Sequence, residues 1–450
     1  RFDVKKCPAC RITHTTIHLK LELLKKIYFF QAYFPGSALL MPISGLNSLP
    51  MQKQRFLGPA GITLLIAFIT ALMPISIDLY LPALPSMNKY FDTSATTVNL
   101  TIILFFVFMA ASMLVWGALS DKYGRKPVLT LGLVLFTVSS FACANSTSIF
   151  QLIVFRVLQS IGAGSALGVN NALLKDIFSG RELERALATV ITLILIAPVV
   201  APIIGGFLLK FLSWRGIFWV LFLLGTLALL LSFTLGETIK ERTNNSLTTT
   251  LGRMVPLLKN PRLSFLLIIF SFPMMPAMAF VISSSYIFIN SFQTGKVEYG
   301  VYYMFIAAFR ILGPYMYLFL SRHIARRHII TGCFTANLAG GLFIGTFGFL
   351  GPVWFTLAVI PIIPTGPMIR PPGVNLMLEQ QLQDAGVVSS LINAAPFVFG
   401  GLGMLLISLG LETPFMVLAA MGAFTGLLTT LLWIATYHKP FIATVLNNEQ

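Results

Sequence analysis

Long apolar runs repeat along the chain from about residue 59, and a short polar segment follows each of them. Roughly 20 apolar residues in a helix cross a bilayer core that is about 30 Å thick. Each run therefore predicts one membrane-spanning helix, and the predicted fold class is an all-α membrane protein. The twelve predicted spans are 59–81, 96–117, 127–144, 149–173, 186–209, 215–235, 263–290, 300–321, 329–350, 352–374, 386–409 and 413–436.

One polar stretch in this part of the chain is longer than the others, and it separates six spans from six. Such a layout is typical of membrane proteins built from two structural repeats, whose shared interface lies near the midplane of the bilayer. The predicted organisation is an atypical N-terminal extension at 1–50, an N-terminal six-helix half at 51–235, a central cytoplasmic loop at 236–262 and a C-terminal six-helix half at 263–450.

The composition agrees with a membrane protein, because 56% of the 450 residues are hydrophobic and only 10% are charged. If residue 51 lies in the cytoplasm, 17 lysines and arginines fall in cytoplasmic segments and four fall on the opposite face. Basic residues accumulate in cytoplasmic loops, so this distribution predicts that both termini are cytoplasmic. It also accounts for the net charge of +16 without a nucleic-acid partner. We expect a multi-pass protein of the inner membrane.

Residues 1–50 do not match the rest of the chain, since Lys20, Glu22, Lys25 and Lys26 prevent a clean 20-residue span. Met51 precedes a short basic leader and the first span, as a natural start would, so we expect 1–50 to be non-native or over-extended sequence. An amphipathic surface segment at 19–34 is one alternative. Zinc binding is another, with cysteine and histidine ligands, although only three residues separate its second Cys from its first His, where a zinc finger has about twelve. Those ligands would be Cys7, Cys10, His14 and His18.

A charged loop between the second and third spans contains Gly117, Asp121, Gly124, Arg125 and Lys126. Gly117 allows close packing of helices, and Gly124 permits a positive φ. Asp121 can accept hydrogen bonds from the amides at a helix N-terminus or pair with a cation. We interpret the string as a tight cytoplasmic turn, and an ordinary charged loop is the alternative.

Two spans contain unusual motifs. Arg156 and Gln159 lie in the fourth span, where an arginine at the centre costs about 2.5–3.5 kcal/mol on insertion scales, so it should face a cavity or a partner. Snorkelling of Arg156 to an interface is the alternative. The fifth span has bending prolines and glycines that let a neighbouring helix approach, and a generic kinked span is the alternative there. Its motif residues are Pro198, Ala201, Pro202, Gly205 and Gly206.

Asp78 is the one acid after residue 50 that falls inside a predicted span. A carboxyl group in hydrocarbon is a functional candidate, because burial favours the protonated form and lets the group carry a proton. An acid near the outer end of the helix is the alternative. Aromatic, thioether and polar side chains on several spans are candidates for lining a substrate cavity. These cavity candidates are Asp78, Tyr80, Gln159, Met274, Phe280 and Arg310.

Two arginines in the second half have no motif around them. Arg310 lies at the middle of the eighth span, where it can pair with Asp78, face an anionic substrate or lie against carbonyls freed near Pro314. Arg370 lies in a proline-rich stretch that should break the tenth span, and we favour snorkelling to the cytoplasmic end for its side chain.

These motifs resemble those of the major facilitator superfamily. The string 117–127 resembles its G-x-L-x-D-x-x-G-R-K/R loop, which acts as a conformational latch against the other half. The string 156–164 resembles its fourth-helix motif linked to proton transfer, with Ser160 in place of a glycine, and 197–206 resembles its drug:proton antiporter motif, with Ala201 in place of a glycine. The string 77–85 closely resembles the first helix of the bicyclomycin/chloramphenicol-resistance (Bcr/CflA-type) branch.

The resemblance implies a monomeric twelve-helix multidrug exporter that exchanges amphiphilic drugs for protons. Asp78 and Arg156 would couple transport to protons, Asp121 and Arg125 would gate it, and we expect no cofactor and no enzymatic activity. The string G-x-x-x-x-G-K-[ST] of nucleotide-binding loops does not occur, so ATP-driven transport within this chain is excluded. A metabolite exporter or an uptake symporter of the same fold, and a non-transporting membrane sensor, are the alternatives.

Overall fold

The computed structural model describes residues 57–239, 252, 254–380 and 385–447, and these ranges contain helices and turns but no strand. Residues 1–50, on which the zinc and surface-segment alternatives depend, lie outside the described residues. Most of the polar part of the central loop lies outside them as well.

The helices that correspond to the first six predicted spans follow each other through short turns. They are α1 (Pro59–Asp78), a 3₁₀ turn (Leu81–Ala83), α2 (Leu84–Tyr90), α3 (Ala95–Tyr123), α4 (Arg125–Ala144), α5 (Ile149–Ile177), α6 (Gly180–Leu208) and α7 (Trp214–Ser232). We call these helices the first set.

The second set corresponds to the last six predicted spans and has two shorter helices beside them. Its elements are α8 (Met254–Leu258), α9 (Pro261–Ser271), α10 (Met274–Ser285), a π-helical turn (Tyr286–Ser291), α11 (Lys296–Leu320), α12 (Arg326–Phe347), α13 (Pro352–Val359), α14 (Thr365–Leu378), α15 (Ala385–Leu409), α16 (Pro414–Thr436) and α17 (Pro440–Asn447).

Eleven helical segments of the described chain are long and apolar enough to cross a membrane. The tenth predicted span, 352–374, is instead formed by α13 and α14, which a turn at 360–364 separates. Pro361 and Pro364 lie in that turn, and proline cannot donate the backbone hydrogen bond that would continue a helix. The expected break is therefore present, and all twelve predicted spans correspond to helical regions.

The two sets contact each other along two helix pairs, α6 with α11 and α3 with α15. At one end of the bundle the second pair is joined by hydrogen bonds. Thr96 donates to the Ser408 carbonyl at 2.7 Å, and Asn99 donates to the Ser408 hydroxyl at 2.9 Å. Tyr286 donates to the side-chain oxygen of Asn99 at 3.0 Å. These polar contacts hold the two sets together at the end of the bundle opposite the 117–127 loop.

Candidate functional site

Asp78 is the last residue of α1 and lies inside the protein, with 5% of its surface exposed. The hydroxyl of Tyr303, on α11, donates to Oδ1 of Asp78 at 3.2 Å. This hydrogen bond joins the first set to the second. The helical segment that contains Asp78 continues to Tyr90, so the carboxyl group does not lie at the end of that segment.

The break after α1 also determines which backbone groups are free near Asp78. The amide of Tyr80 bonds to the carbonyl of Ile77 at 3.1 Å, as in a 3₁₀ turn, which leaves the carbonyl of Ser76 without its usual helical donor. Gly205 of α6 packs directly on this break, because a Cβ at Gly205 would overlap the Leu79 carbonyl oxygen. A glycine is therefore required at that position for α6 to approach the irregular backbone.

Tyr303 and Arg310 are seven residues apart on α11 and therefore lie on the same face of that helix. Arg310 is half-buried and close enough to Asp78 to act on it electrostatically. Both side chains line a cavity of about 30 Å³ between the two sets. Its other walls include Pro198 of α6, Met274 and Phe280 of α10, and Pro367 of α14.

That cavity has room for one or two water molecules and is far smaller than the pockets of about 300–1,000 Å³ that hold drug-sized ligands. A drug-sized ligand therefore does not fit this cavity in the state that the structure shows. A drug-sized ligand would enter only after the sets separate.

Arg156 on α5 is completely buried, and neutral groups surround it. Its guanidinium donates to the Gln159 side chain at 2.6 Å, to the freed carbonyl of Ser76 at 3.3 Å and to the carbonyl of Thr101 at 3.4 Å. Three aromatic rings cover the same group. Its Cζ lies 4.4, 5.1 and 5.7 Å from the ring centroids of Phe105, Tyr80 and Phe218.

Arg156 is thus linked to the end of α1 two residues before Asp78, but it makes no direct contact with the carboxylate. Within the described part of the chain, one guanidinium nitrogen of Arg156, Nη2, has no hydrogen-bond partner. A direct Arg156–Asp78 pair is not present in this state. Any effect of Arg156 on proton binding would have to pass through the backbone of α1.

The structure divides the cavity candidates into two groups. Met274, Phe280 and Arg310 line the cavity, and Asp78 is next to it through Tyr303. Tyr80 and Gln159 do not line it, because both belong to the surroundings of Arg156. Tyr80 is within 3.2 Å of the Thr101 hydroxyl, and Gln159 donates to Ser140 at 2.7 Å.

The 117–127 loop is held by a network around Arg125, which is 8% exposed. Arg125 forms ion pairs with Asp121 and, at 3.0 Å, with Asp176, and it donates to Ser120 at 2.7 Å. Its backbone amide donates to Glu237 at 2.9 Å, so Glu237 satisfies an amide at the start of α4. All these partners belong to the first set or its extension.

The remaining loop residues fit the predicted tight turn. Gly124 has a φ of +113°, a value that side chains disfavour, and it separates α3 from α4. Gly117 faces the Gly168 carbonyl of α5, and Lys126 donates to the Phe233 carbonyl at 3.1 Å. Among the described residues, the polar contacts of this loop are with the first set and with the segment at 233–237 that follows it.

The antiporter-like motif on α6 lies between the two sets. Pro198 lines the cavity, and Ala201 and Pro202 are buried one turn further along. Gly205 faces α1, and Gly206 faces the start of α11, where an added Cβ would overlap the Lys296 carbonyl oxygen. The two glycines thus allow α6 to pack closely against both sets at once.

Sequence reasoning did not pair Tyr303 with Asp78, and it missed Glu237 as a site residue. Tyr303 has a detectable signal, since it lies two helical turns before Arg310 on one face of α11. Glu237 has no such signal, because its role depends on how the end of α7 folds against the start of α4. Arg370 is exposed and donates to Asn393 at 2.6 Å, so it does not line the cavity.

Comparison with known proteins places this arrangement in a family. The model of the Major Facilitator Superfamily matches residues 66–395. A bicyclomycin resistance protein homolog of Haemophilus influenzae is 26% identical over 378 residues, which cover 83% of this chain and 94% of the relative. A chloramphenicol resistance protein of Pseudomonas aeruginosa is 34% identical over 160 residues, which cover 35% of this chain and 38% of the relative.

The fold agrees with that family. The crystal structure of the nucleoside transporter NupG superposes with a TM-score of 0.67 at 15% identity, covering 84% of this chain and 99% of NupG. The relatives confirm the resemblance to the bicyclomycin/chloramphenicol-resistance branch. The chain belongs to the major facilitator superfamily and is a multi-pass membrane transporter.

Proposed function

We propose that this transporter exports amphiphilic drugs across the bacterial inner membrane in exchange for protons. The observation that carries the proposal is the buried carboxyl group of Asp78, which bonds to Tyr303 of the other set beside the cavity. Exchange requires that the proton and the drug compete for one state of the protein. A proton-binding group at the contact between the two sets meets that requirement.

The proposed cycle uses the charge of Asp78 to control that contact. The ionised carboxylate is stabilised by the Tyr303 hydroxyl and by the nearby charge of Arg310. Protonation removes the negative charge and weakens both interactions, so the two sets can separate around the cavity. One proton that enters down a potential of 100 mV supplies about 2.3 kcal/mol for this change.

Alternating access requires that one end of the helix bundle is closed while the other end is open. With both termini in the cytoplasm, the end closed by Asn99, Tyr286 and Ser408 faces outward. Drug would then enter from the cytoplasm or inner leaflet. Asp121 and Arg125 would act as the latch when the cytoplasmic end closes, and the α6 motif at Pro202, Gly205 and Gly206 would serve as the hinge.

The test is proton-driven accumulation of radiolabelled chloramphenicol in inverted membrane vesicles, which the name of one relative makes a suitable first probe. We expect the native protein to accumulate drug when the vesicle lumen is acidified. Asp78→Asn should abolish this accumulation, because the amide cannot exchange a proton, while the protein still folds and inserts.

Asp92→Asn is the matched control, since Asp92 is exposed on the turn that follows the same span and its positive φ suits asparagine. Full proton-driven accumulation by the Asp78→Asn protein would refute the proton-coupling assignment. Proton-driven release of drug from these vesicles would favour an uptake symporter.

A further inference from the structure

The charge of the cavity wall is a second property of the site, separate from proton coupling. Of the side chains that line the cavity, Arg310 is the charged one, and most of the others are apolar or aromatic. Met274, Phe280 and Ile306 form much of this apolar wall. The cavity therefore presents a single guanidinium against an otherwise apolar and aromatic surface.

The N–H donors of Arg310 are not used by the described part of the protein, although its charge acts on Asp78. Within the described ranges of the chain, this guanidinium forms no hydrogen bond and no ion pair. Asp78 acts on Arg310 only through space, since its carboxylate is bonded by Tyr303. An unpaired guanidinium in a membrane-spanning helix is unfavourable unless water or a ligand solvates it. Its five N–H donors are thus available to a ligand.

The drug competes with the proton in the proposed cycle, and the charge that it meets in the cavity is that of the lining residues. Asp78 is bonded by Tyr303 and does not line the cavity, so Arg310 supplies the positive charge at the cavity wall. A lipophilic cation is repelled there in a surrounding of low polarity, where charge interactions are strong. An amphiphile with a carboxylate, phenolate or nitro group gains a planar, two-pronged partner, while its apolar part packs on the aromatic wall.

We propose that Arg310 is the charge-selecting residue of the substrate cavity. It favours amphiphiles that carry a negatively charged or strongly electronegative group, and it rejects lipophilic cations of the same size. This inference rests on the proposed export function for its biological meaning, but it concerns binding and is measured without a proton gradient.

The test compares tetraphenylborate with tetraphenylphosphonium, two ions of the same shape and opposite charge. Their binding to the purified protein in detergent is measured by equilibrium dialysis. We expect the native protein to bind the anion more tightly by about tenfold or more, and Arg310→Met to remove this difference. Arg310→Lys keeps the charge and should keep most of the preference for the anion, which separates loss of charge from misfolding.

Arg322→Met is the matched control, since Arg322 is exposed beyond the end of the same helix. Equal binding of the two ions by the native protein, or a preference that persists in Arg310→Met, would overturn the inference. The two proposals fail separately. Proton-driven export of tetraphenylphosphonium by the native protein refutes charge selection and leaves proton exchange intact, whereas selective binding without proton-driven transport refutes the export function alone.

Discussion

Arg156 and Arg310 both lie on membrane-spanning helices, but their side chains differ in burial and in hydrogen-bond partners. Arg156 is completely buried in the first set, between neutral oxygen acceptors and three aromatic rings. Arg310 is half-buried at the contact between the sets, beside a cavity and without a hydrogen-bond partner in the described chain. One arginine is part of the internal structure of one set, and the other faces the place where a ligand must pass.

The comparison shows that a recognisable motif does not mark the more accessible group. Arg156 belongs to a motif, and its surroundings suit an arginine. Three aromatic rings and three oxygen acceptors surround its planar guanidinium. It also satisfies the Ser76 carbonyl that the break in α1 leaves free. Arg310 has no motif around it. A residue that contacts a ligand in the cavity needs only to lie on the face of α11 that lines the cavity.

The largest effect should come from replacing Arg156 by lysine, and the same change at Arg310 should have almost none. Arg156→Lys keeps a buried charge but loses the planar stacking and the fork of donors, so we expect unfolding to become easier by about 3 kcal/mol. Arg310→Lys should change stability by less than about 0.5 kcal/mol, because no protein partner is lost. Thermal unfolding of both variants in detergent measures the difference, and equal destabilisation would contradict the distinction between the two sites.

A smaller effect should follow from moving α11 relative to α6. Gly206→Ala forces the new methyl group against the Lys296 backbone, at the start of the helix that carries Arg310. We expect a loss of about 2 kcal/mol in stability together with reduced drug export, while the surroundings of Arg156 stay unchanged. Gly332→Ala on α12 is the control, because no atom lies within 4 Å of the added methyl group. Similar behaviour of the two variants would show that the α6–α11 contact is not tight.

The smallest effect should come from Tyr303→Phe, which removes one hydrogen bond between the sets. We expect the free energy of unfolding, measured by thermal unfolding in detergent, to fall by about 1 kcal/mol. The loss is small because Asp78 keeps its electrostatic interaction with Arg310. The control is Tyr302→Phe, since the Tyr302 hydroxyl has no hydrogen-bond partner among the described residues. In a protein that already has Asp78→Asn, the effect of Tyr303→Phe should shrink, as two residues in one contact are not additive. A full effect there would mean that the hydroxyl acts elsewhere.

Much of the fold could be predicted from residue order, because a bilayer imposes a simple length rule on apolar helices. The twelve spans correspond to helical regions, and the proline-rich tenth span is broken where its prolines lie. The turn at 117–127 was predicted as well, because it depends on residues that are close together in the sequence. Gly124 adopts the positive φ of the turn, and Asp121 pairs with Arg125 four residues away. The family resemblance in these strings is confirmed by the comparisons.

The candidate site was only partly predictable. Asp78, Met274, Phe280 and Arg310 are close to one cavity, whereas Tyr80 and Gln159 belong to the surroundings of Arg156. Nothing in the residue order separates these two groups, because each contains residues from distant helices. The Tyr303–Asp78 pair and the role of Glu237 were not predicted, since the partners in each pair lie far apart in the chain.

The sequence by itself determined the number of membrane-spanning regions, the tight loop and the residues whose charges are costly in a bilayer. Those properties depend on local composition and on the free energy of transferring each side chain into lipid. Only the tertiary structure decided that Asp78 meets Tyr303 of the opposite set and that Arg310 faces the cavity while Arg156 does not. These pairings depend on how α1, α6 and α11 pack, and that packing is determined by close backbone contacts at Gly205 and Gly206 between residues distant in the chain.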